Sequence, residues 1–231
     1  VYTLHIANCA YSSWSLRPWA LLHALGIPFE TQLHPFVPGG SAERFRAFSP
    51  TGKVPVLHDG PTVVWDSLAI VEYVAERHPG VWPADPAARA WARCASAEMH
   101  AGFGALRQRC SFQVGLRVRL HTVDPALQRD LDRMDALWQE GLARFGGPYL
   151  AGATFTAVDA FFSPIPFRLR TYGLALGPAA MDYAARLLAT PTLRAWDEAG
   201  LAEPFRDAEH DREIAAQGTI LADLRAPERT A

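Results

Sequence analysis

Cysteine is scarce: there are three in 231 residues, at positions 9, 94 and 110. An odd number so widely spaced makes neither a disulfide framework nor a zinc-ligand pattern. It suits a reducing, cytoplasmic setting. An excess of one charge is also missing. Twenty-two Lys and Arg face 24 Asp and Glu, for a formal net charge of -2. That leaves no electrostatic footprint for nucleic acid and no acidic tail. No apolar run is long and unbroken enough to span a bilayer, so no membrane partner is expected. The opening "VYTLHIANC" lacks the basic region and long apolar stretch of a secretory leader. Internal repeats and low-complexity segments are absent. No metal-binding cluster stands out, and "PGG" at 38–40 lacks the strand and helix that would make it a phosphate loop. What is present is 49% hydrophobic residues, enough for one sizeable core or two smaller ones. Seven Trp and twelve Phe suit a helical core or an apolar pocket.

The first eighty residues alternate short strands and helices. "YTLHIA" alternates and is β-rich, so it reads as a strand. The loop "NCAYSSWS" then opens a helix that runs to about Leu25 and stops at "GIP". "FETQLHPF" reads as a second strand, and "PGGSAERFRAFSP" as a loop with a short helix. "VPVLHDGPTVVW" holds two strands joined at "DGP", a hairpin signal. "DSLAIVEYVAERHPG" is a helix with Leu68, Val71, Val74 and Ala75 on one face, capped by Asp66 or Ser67. "VWPADPAAR" has three prolines in nine residues and looks like a linker. Beyond it strand signals nearly vanish. Long helices are expected from Ala87 to about Gln108 and from Pro125 to Phe145. A third, "TAVDAFFSPIPFRLRTY", should bend at Pro164 and Pro166. Shorter helices follow at "PAAMDYAARLLA" and "TPTLRAWDEAG". The expected fold class is α/β plus all-α. A domain over 1–79 is followed by a linker over 80–87 and an all-helical domain over 88–231.

Three places offer chemistry. Val54-Pro55 precedes a strand, where a proline costs one ladder donor. A cis bond there would turn the chain and expose backbone groups of Val54. Asp66-Ser67 brings a carboxylate, a hydroxyl and unused N–H groups to one helix start. Such a start is a cap, and it also binds anions. The third place is the loop Asn8–Trp19. Pro18 belongs in the first turn of a helix. Tyr11, Ser12 and Ser13 therefore lie just before the helix or at its cap, and Ser15 is a further cap candidate.

The order of these motifs resembles the cytosolic glutathione S-transferase family. A Ser-rich loop opens the first helix, "KVP" precedes the third strand, and "DSLAIVEYV" follows the hairpin. "TFTAVDAFF" resembles that family's capping motif, with Thr156 as cap, Asp159 closing the box and Phe155 just before it. The resemblance spans nearly the whole chain, less the tail after Phe205. "SSWSLR" is similar to the "SSCSWR" pattern of zeta-type members. The resemblance implies a thioredoxin-like first domain that binds glutathione and a helical second domain that supplies the acceptor pocket. It implies a homodimer and no metal. Glutathione would enter as co-substrate and add to a small electrophile.

Residue by residue, the resemblance implies that Val54 pairs its backbone with the cysteinyl part of glutathione across a cis Pro55. Lys53 would take the glycine carboxylate. Asp66 would face the γ-glutamyl ammonium, one methylene shorter than the usual Glu or Gln, and Ser67 the γ-glutamyl carboxylate. Ser12 would donate to the thiolate, supported by Ser13 and Trp14. Trp14 stands where the zeta pattern has Cys, and Arg17 matches that pattern's Arg. Tyr11 is a rival for the sulfur, as in tyrosine-type members. Cys9, at a strand end and not a helix start, reads as an inert thiol. The acceptor pocket would draw on Tyr11, Met99, His100, Phe103 and Arg107. One of Arg168 and Arg170 would join them, with Arg170 the one assigned. Related readings are a glutathione-dependent isomerase, a disulfide reductase, or a non-catalytic module of this fold.

Overall fold

The computed structural model describes residues 1–227. Strand β1 (Tyr2–Ile6) buries Leu4 and Ile6 and turns His5 to the other face. It pairs in parallel with β2 (Phe29–Leu33) and antiparallel with β3 (Val56–Asp59). A tight turn at Gly60, where φ is 56°, returns β3 into β4 (Thr62–Trp65). The sheet order is β2-β1-β3-β4. The parallel crossover is made by α1 (Ser13–Ala24). Pro18 lies inside α1, in its second turn. The short α2 (Ala42–Phe45) precedes β3, and α3 (Ser67–Ala75) follows β4. This is the thioredoxin-like arrangement expected.

The "linker" is not a free tether. Val81 and Trp82 are buried, and the Val81 carbonyl accepts the Ala157 N–H at 2.8 Å. Helix α4 already begins at Pro86, with Asp85 capping the Ala88 N–H. The expected continuous helix to Gln108 is broken. Helix α4 ends at Ala101, Gly102 is extended, and Phe103 takes a left-handed conformation at φ 56° before α5 (Gly104–Arg109). Arg107 explains how the break is held. Its guanidinium folds back to donate to the carbonyls of Met99, His100 and Gly102, which helix continuation would otherwise satisfy.

Helix α6 (Pro125–Phe145) presents Leu127, Leu131, Met134 and Trp138 to the core, as its periodicity predicts. The capping box forms at the start of α7 (Ala157–Phe162). Ser163 separates α7 from α8 (Pro164–Tyr172), so the bend falls at the first of the two prolines. Helices α9 (Pro178–Ala189) and α10 (Pro191–Ala202) complete the bundle. The helical half carries an addition that the sequence reading did not contain. Strand β5 (Leu116–Leu120) pairs antiparallel with β6 (Gly218–Asp223), and α11 (Ala208–Gln217) leads into β6. Residues 206–227 thus fold back onto the molecule.

Candidate active site

The loop after β1 ends at Ser12, the N-cap of α1. Ser12 Oγ accepts the Ser15 N–H at 3.3 Å and donates to Ser15 Oγ at 2.8 Å. Ser15 Oγ in turn accepts the Ala7 N–H at 3.2 Å. Ser15 is therefore the brace and not the cap. No acidic residue occupies the first turn of α1, so its N-terminal field is uncompensated there.

Across from it, the Val54-Pro55 peptide is cis. Ser49 fixes that approach: its hydroxyl donates to the Lys53 carbonyl at 2.6 Å and accepts the Lys53 N–H at 3.2 Å. At the start of α3, Asp66 caps the Leu68 N–H at 2.8 Å. Asp66 holds φ at 75°, a region that costs a non-glycine residue about 1–3 kcal/mol and gathers at functional sites. Ser67 Oγ is buried and has no partner. A buried hydroxyl left empty is costly, and a bound carboxylate would fill it.

These groups share one groove. A cavity of about 460 Å³ is lined by Lys53, Val54, Pro55, Asp66, Ser67 and Trp14. An adjoining one of about 270 Å³ shares Trp14, Lys53 and Val54 and adds Ser12, with Phe45 on its apolar wall. A third, of about 260 Å³, shares Ser12 and Trp14 and adds Tyr11, Ser13, Arg107 and Arg168. Trp14 is common to all three. Its ring sits 4.2 Å from the Arg17 guanidinium carbon and 4.7 Å from that of Arg107, and lies edge-on to His100. His100 reaches Asp66, with Nε2 3.5 Å from the carboxylate. Burial and the nearby arginines lower the His100 pKa, against the pull of Asp66. Arg17 is buried, and its Nε and one terminal nitrogen have no partner.

Some expected pocket residues are elsewhere. Met99 and Phe103 are core residues that line none of these cavities. Phe103 sits at the helix break, in the left-handed conformation, and is buried in the core. Arg170 does not face the pocket either: it makes a two-pronged ion pair with Asp197, both contacts at 2.7 Å. Arg168 stands on the wall instead. Its guanidinium donates to the Cys110 carbonyl and, at 3.3 Å, to Ser13 Oγ. Burial lowers the Arg168 pKa to about 10, so it stays charged at neutral pH. Tyr11 is engaged: its hydroxyl donates to Asp211 at 3.1 Å and accepts from Arg225 at 2.6 Å. Burial pushes its pKa well above the usual value. Burial and the neighbouring Glu203 carboxylate do the same to the Cys9 thiol, which fits an inert group. Among the described residues no carboxylate lies within ion-pair distance of Arg17, Arg107 or Arg168.

Sequence reasoning missed Glu203, Trp196, His210 and Glu213. The last two line the third cavity from α11. Their only signal was a charged, helix-compatible tail.

A thioredoxin-like sheet with a cis-proline, packed against a helical half, defines the fold class. Comparison with known proteins narrows it. Residues 11–77 match the family model described as glutathione S-transferase, N-terminal domain. Glutathione S-transferase 3 of Zea mays is 28% identical over 202 residues, covering 82% of this chain and 85% of that protein. A probable maleylacetoacetate isomerase of Caenorhabditis elegans is 27% identical over 175 residues, covering 73% and 81%. Among solved structures, a Rhodospirillum rubrum glutathione S-transferase superposes with TM-score 0.66 at 19% identity, covering 92% of this chain and 99% of that one. A Burkholderia glutathione transferase homologue with bound glutathione gives 0.63 at 22%, covering 85% and 96%. Residues 11–77 thus resemble a glutathione S-transferase N-terminal domain, and the chain as a whole shares the fold of solved glutathione transferases.

Proposed function

We propose that this protein is a serine-type glutathione S-transferase in which Ser12 stabilises the glutathione thiolate. The observation that carries the reading is the shared groove. Lys53 offers a cation for the glycine carboxylate, and Val54 a backbone for the cysteinyl unit. Ser67 and Asp66 are left for the γ-glutamyl end. The sulfur then falls beside Ser12. The free thiol has a pKa of about 8.5, so little of it is ionised at neutral pH. On binding, its proton leaves to solvent. The Ser12 hydroxyl exchanges its neutral bond to Ser15 for one to the anion, and a charge-assisted bond is about twice as strong. The α1 N-terminus and the two pocket arginines add a field of the same sign. The thiolate then attacks an electrophile held beyond Ser12, in the third cavity. In this reading the enzyme is a cytoplasmic homodimer active in detoxification. Light scattering tests the dimer.

A second reading is a glutathione-dependent isomerase acting on an anionic substrate. Arg107 and Arg168, on the acceptor wall and, among the described residues, without an ion-paired carboxylate, favour it. Trp14 in place of the pattern's Cys weighs against it.

The test is a pH titration of thiolate absorbance in the glutathione complex of wild type and Ser12→Ala. The reading expects the midpoint to rise by about 1–2 pH units, which is about 1.4 kcal/mol for each unit. An unmoved midpoint refutes the role of Ser12. Conjugation of a neutral aryl halide then separates transfer from isomerisation.

A further inference from the structure

The turn that carries Ser12 is fastened to the helical half residue by residue. The Cys9 N–H donates to Glu203 Oε1 at 2.6 Å, and the Ala10 N–H to Oε2 at 3.2 Å. Trp196 Nε1 donates to the Cys9 carbonyl at 3.0 Å, and the Val114 N–H to the Ala10 carbonyl at 3.3 Å. Both polar backbone groups of both residues are thus held by the far half of the chain. Ser12 lies two residues on, its own N–H closing the turn onto the Asn8 carbonyl at 2.8 Å.

Glu203 sits just past the end of α10 and is 6% exposed. Among the described residues no cation pairs with its carboxylate. Burying an unpaired carboxylate is unfavourable, so its retention here needs a return. The geometry supplies one. Two neighbouring N–H groups point at two acceptor oxygens, an arrangement only a carboxylate completes. A glutamine would turn an NH₂ group toward one of those N–H donors. One turn earlier on α10, Gly200 allows the close approach. A Cβ there would lie 3.2 Å from Ala10 N, 3.3 Å from the Cys9 carbonyl carbon and 2.6 Å from Val114 Cγ2.

We propose that Glu203 is a positioning residue for Ser12: by binding the Cys9 and Ala10 N–H groups together it fixes the turn that aims the Ser12 hydroxyl at the glutathione sulfur. The inference rests on the assignment of Ser12 above. It makes the alignment of the sulfur site a property of the helical half.

The test compares Glu203→Gln, Glu203→Asp, Ser12→Ala and the Ser12→Ala/Glu203→Gln double variant. The readouts are glutathione affinity by calorimetry, the thiolate midpoint, and kcat with an aryl halide. Glu203→Gln should lower kcat about tenfold and raise the midpoint, with glutathione affinity changed less than about threefold. Glu203→Asp keeps both oxygens and should recover part of the loss. In the Ser12→Ala background Glu203→Gln should shift the midpoint no further, because the two act as one unit. Gly200→Ala keeps the carboxylate but pushes α10 off the turn. It should reproduce the effect, and it serves if Glu203→Gln does not fold. An unmoved midpoint in folded Glu203→Gln, or an equal further shift in the double variant, overturns the inference and leaves Ser12 standing. An unmoved midpoint in Ser12→Ala overturns both.

Discussion

If Arg168 receives an anionic acceptor as proposed, replacing it by Met should lower turnover of an anionic acceptor far more than that of a neutral one. Arg168 is buried, carries a full charge at neutral pH and, among the described residues, has no acidic partner within ion-pair distance. Met keeps most of the stem volume and removes the charge. The stability effect is a small difference. The Cys110 carbonyl and Ser13 Oγ lose a donor, which costs about 1–3 kcal/mol. Relief of an unpaired buried cation offsets part of that. The effect on an anionic acceptor is larger. At about 5 Å and an effective dielectric near 20, unit charges attract by about 3 kcal/mol. Allowing for residual solvent, about 2 kcal/mol should appear, or roughly 30-fold in kcat/KM. The assay is a ratio. A nitro-activated aryl chloride bearing a carboxylate is compared with its methyl ester, in wild type, Arg168→Met and Arg168→Lys. Any change in thiolate activation affects both substrates and cancels in that ratio. The ratio should fall about 30-fold in Met and survive in Lys. Equal losses on both substrates in Arg168→Met would show that the arginine serves only the sulfur or the fold, and would refute its role in choosing the acceptor.

Asp159 accepts from Leu150 N, Thr156 N, Thr156 Oγ1 and Tyr183 Oη with no solvent access. Asp159→Ala orphans these donors and should lower unfolding free energy by about 3–5 kcal/mol, measured by urea denaturation; a loss under about 1 kcal/mol would contradict the capping account. His5 stacks on His34 and Phe48 with His58 tilted against it, and burial, then His58 and His34, depress its pKa to about 4. The folded state therefore resists its protonation, so its contribution to stability is intact above about pH 6.5 and falls as pH drops toward 4. Discounted for partial exposure, about 2 kcal/mol should be lost over that window, and the loss should shrink in His5→Phe. Iodoacetamide should label exposed Cys94 first and spare Cys9 and Cys110, whose thiols burial pushes up, that of Cys110 to about 12; mass spectrometry reading early label at Cys9 would revise its assignment as inert.

Local chemistry made much of the fold readable. The alternation of "YTLHIA", the glycine stops and the helical period of 125–145 each follow from neighbours within a few residues, and each element is where it was expected. The break at Gly102–Phe103 was not readable. Phe103 in a left-handed conformation is stabilised by a side chain four residues on, and by Asp130, which accepts the Leu106 N–H from another helix. The β5–β6 ribbon was partly readable. "LRVRL" alternates apolar with arginine over five residues, a strand pattern overlooked among helices. Its partner lies about a hundred residues on, beyond the reach of periodicity.

The site divides along the same line. Lys53, Val54, Pro55, Asp66 and Ser67 announce themselves because each is tied to a local feature: a strand start, a turn or a helix cap. Arg168 and Arg170 are two apart on one helix and point to different sides, and nothing local says which side is the pocket. Asp197, on α10, decides it by claiming Arg170 in a two-pronged ion pair. Glu203 is the same case at greater range. A glutamate before a proline looks like any surface residue until the fold sets it against two backbone N–H groups 194 and 193 positions away. The groups that would touch glutathione were thus legible from the first domain's own chain. The groups proposed to align the sulfur end and choose the acceptor come from the second half. Two relatives can therefore share the "SSWSLR" type of motif and differ in chemistry, because the turn that carries its serines is held by residues the motif does not contain.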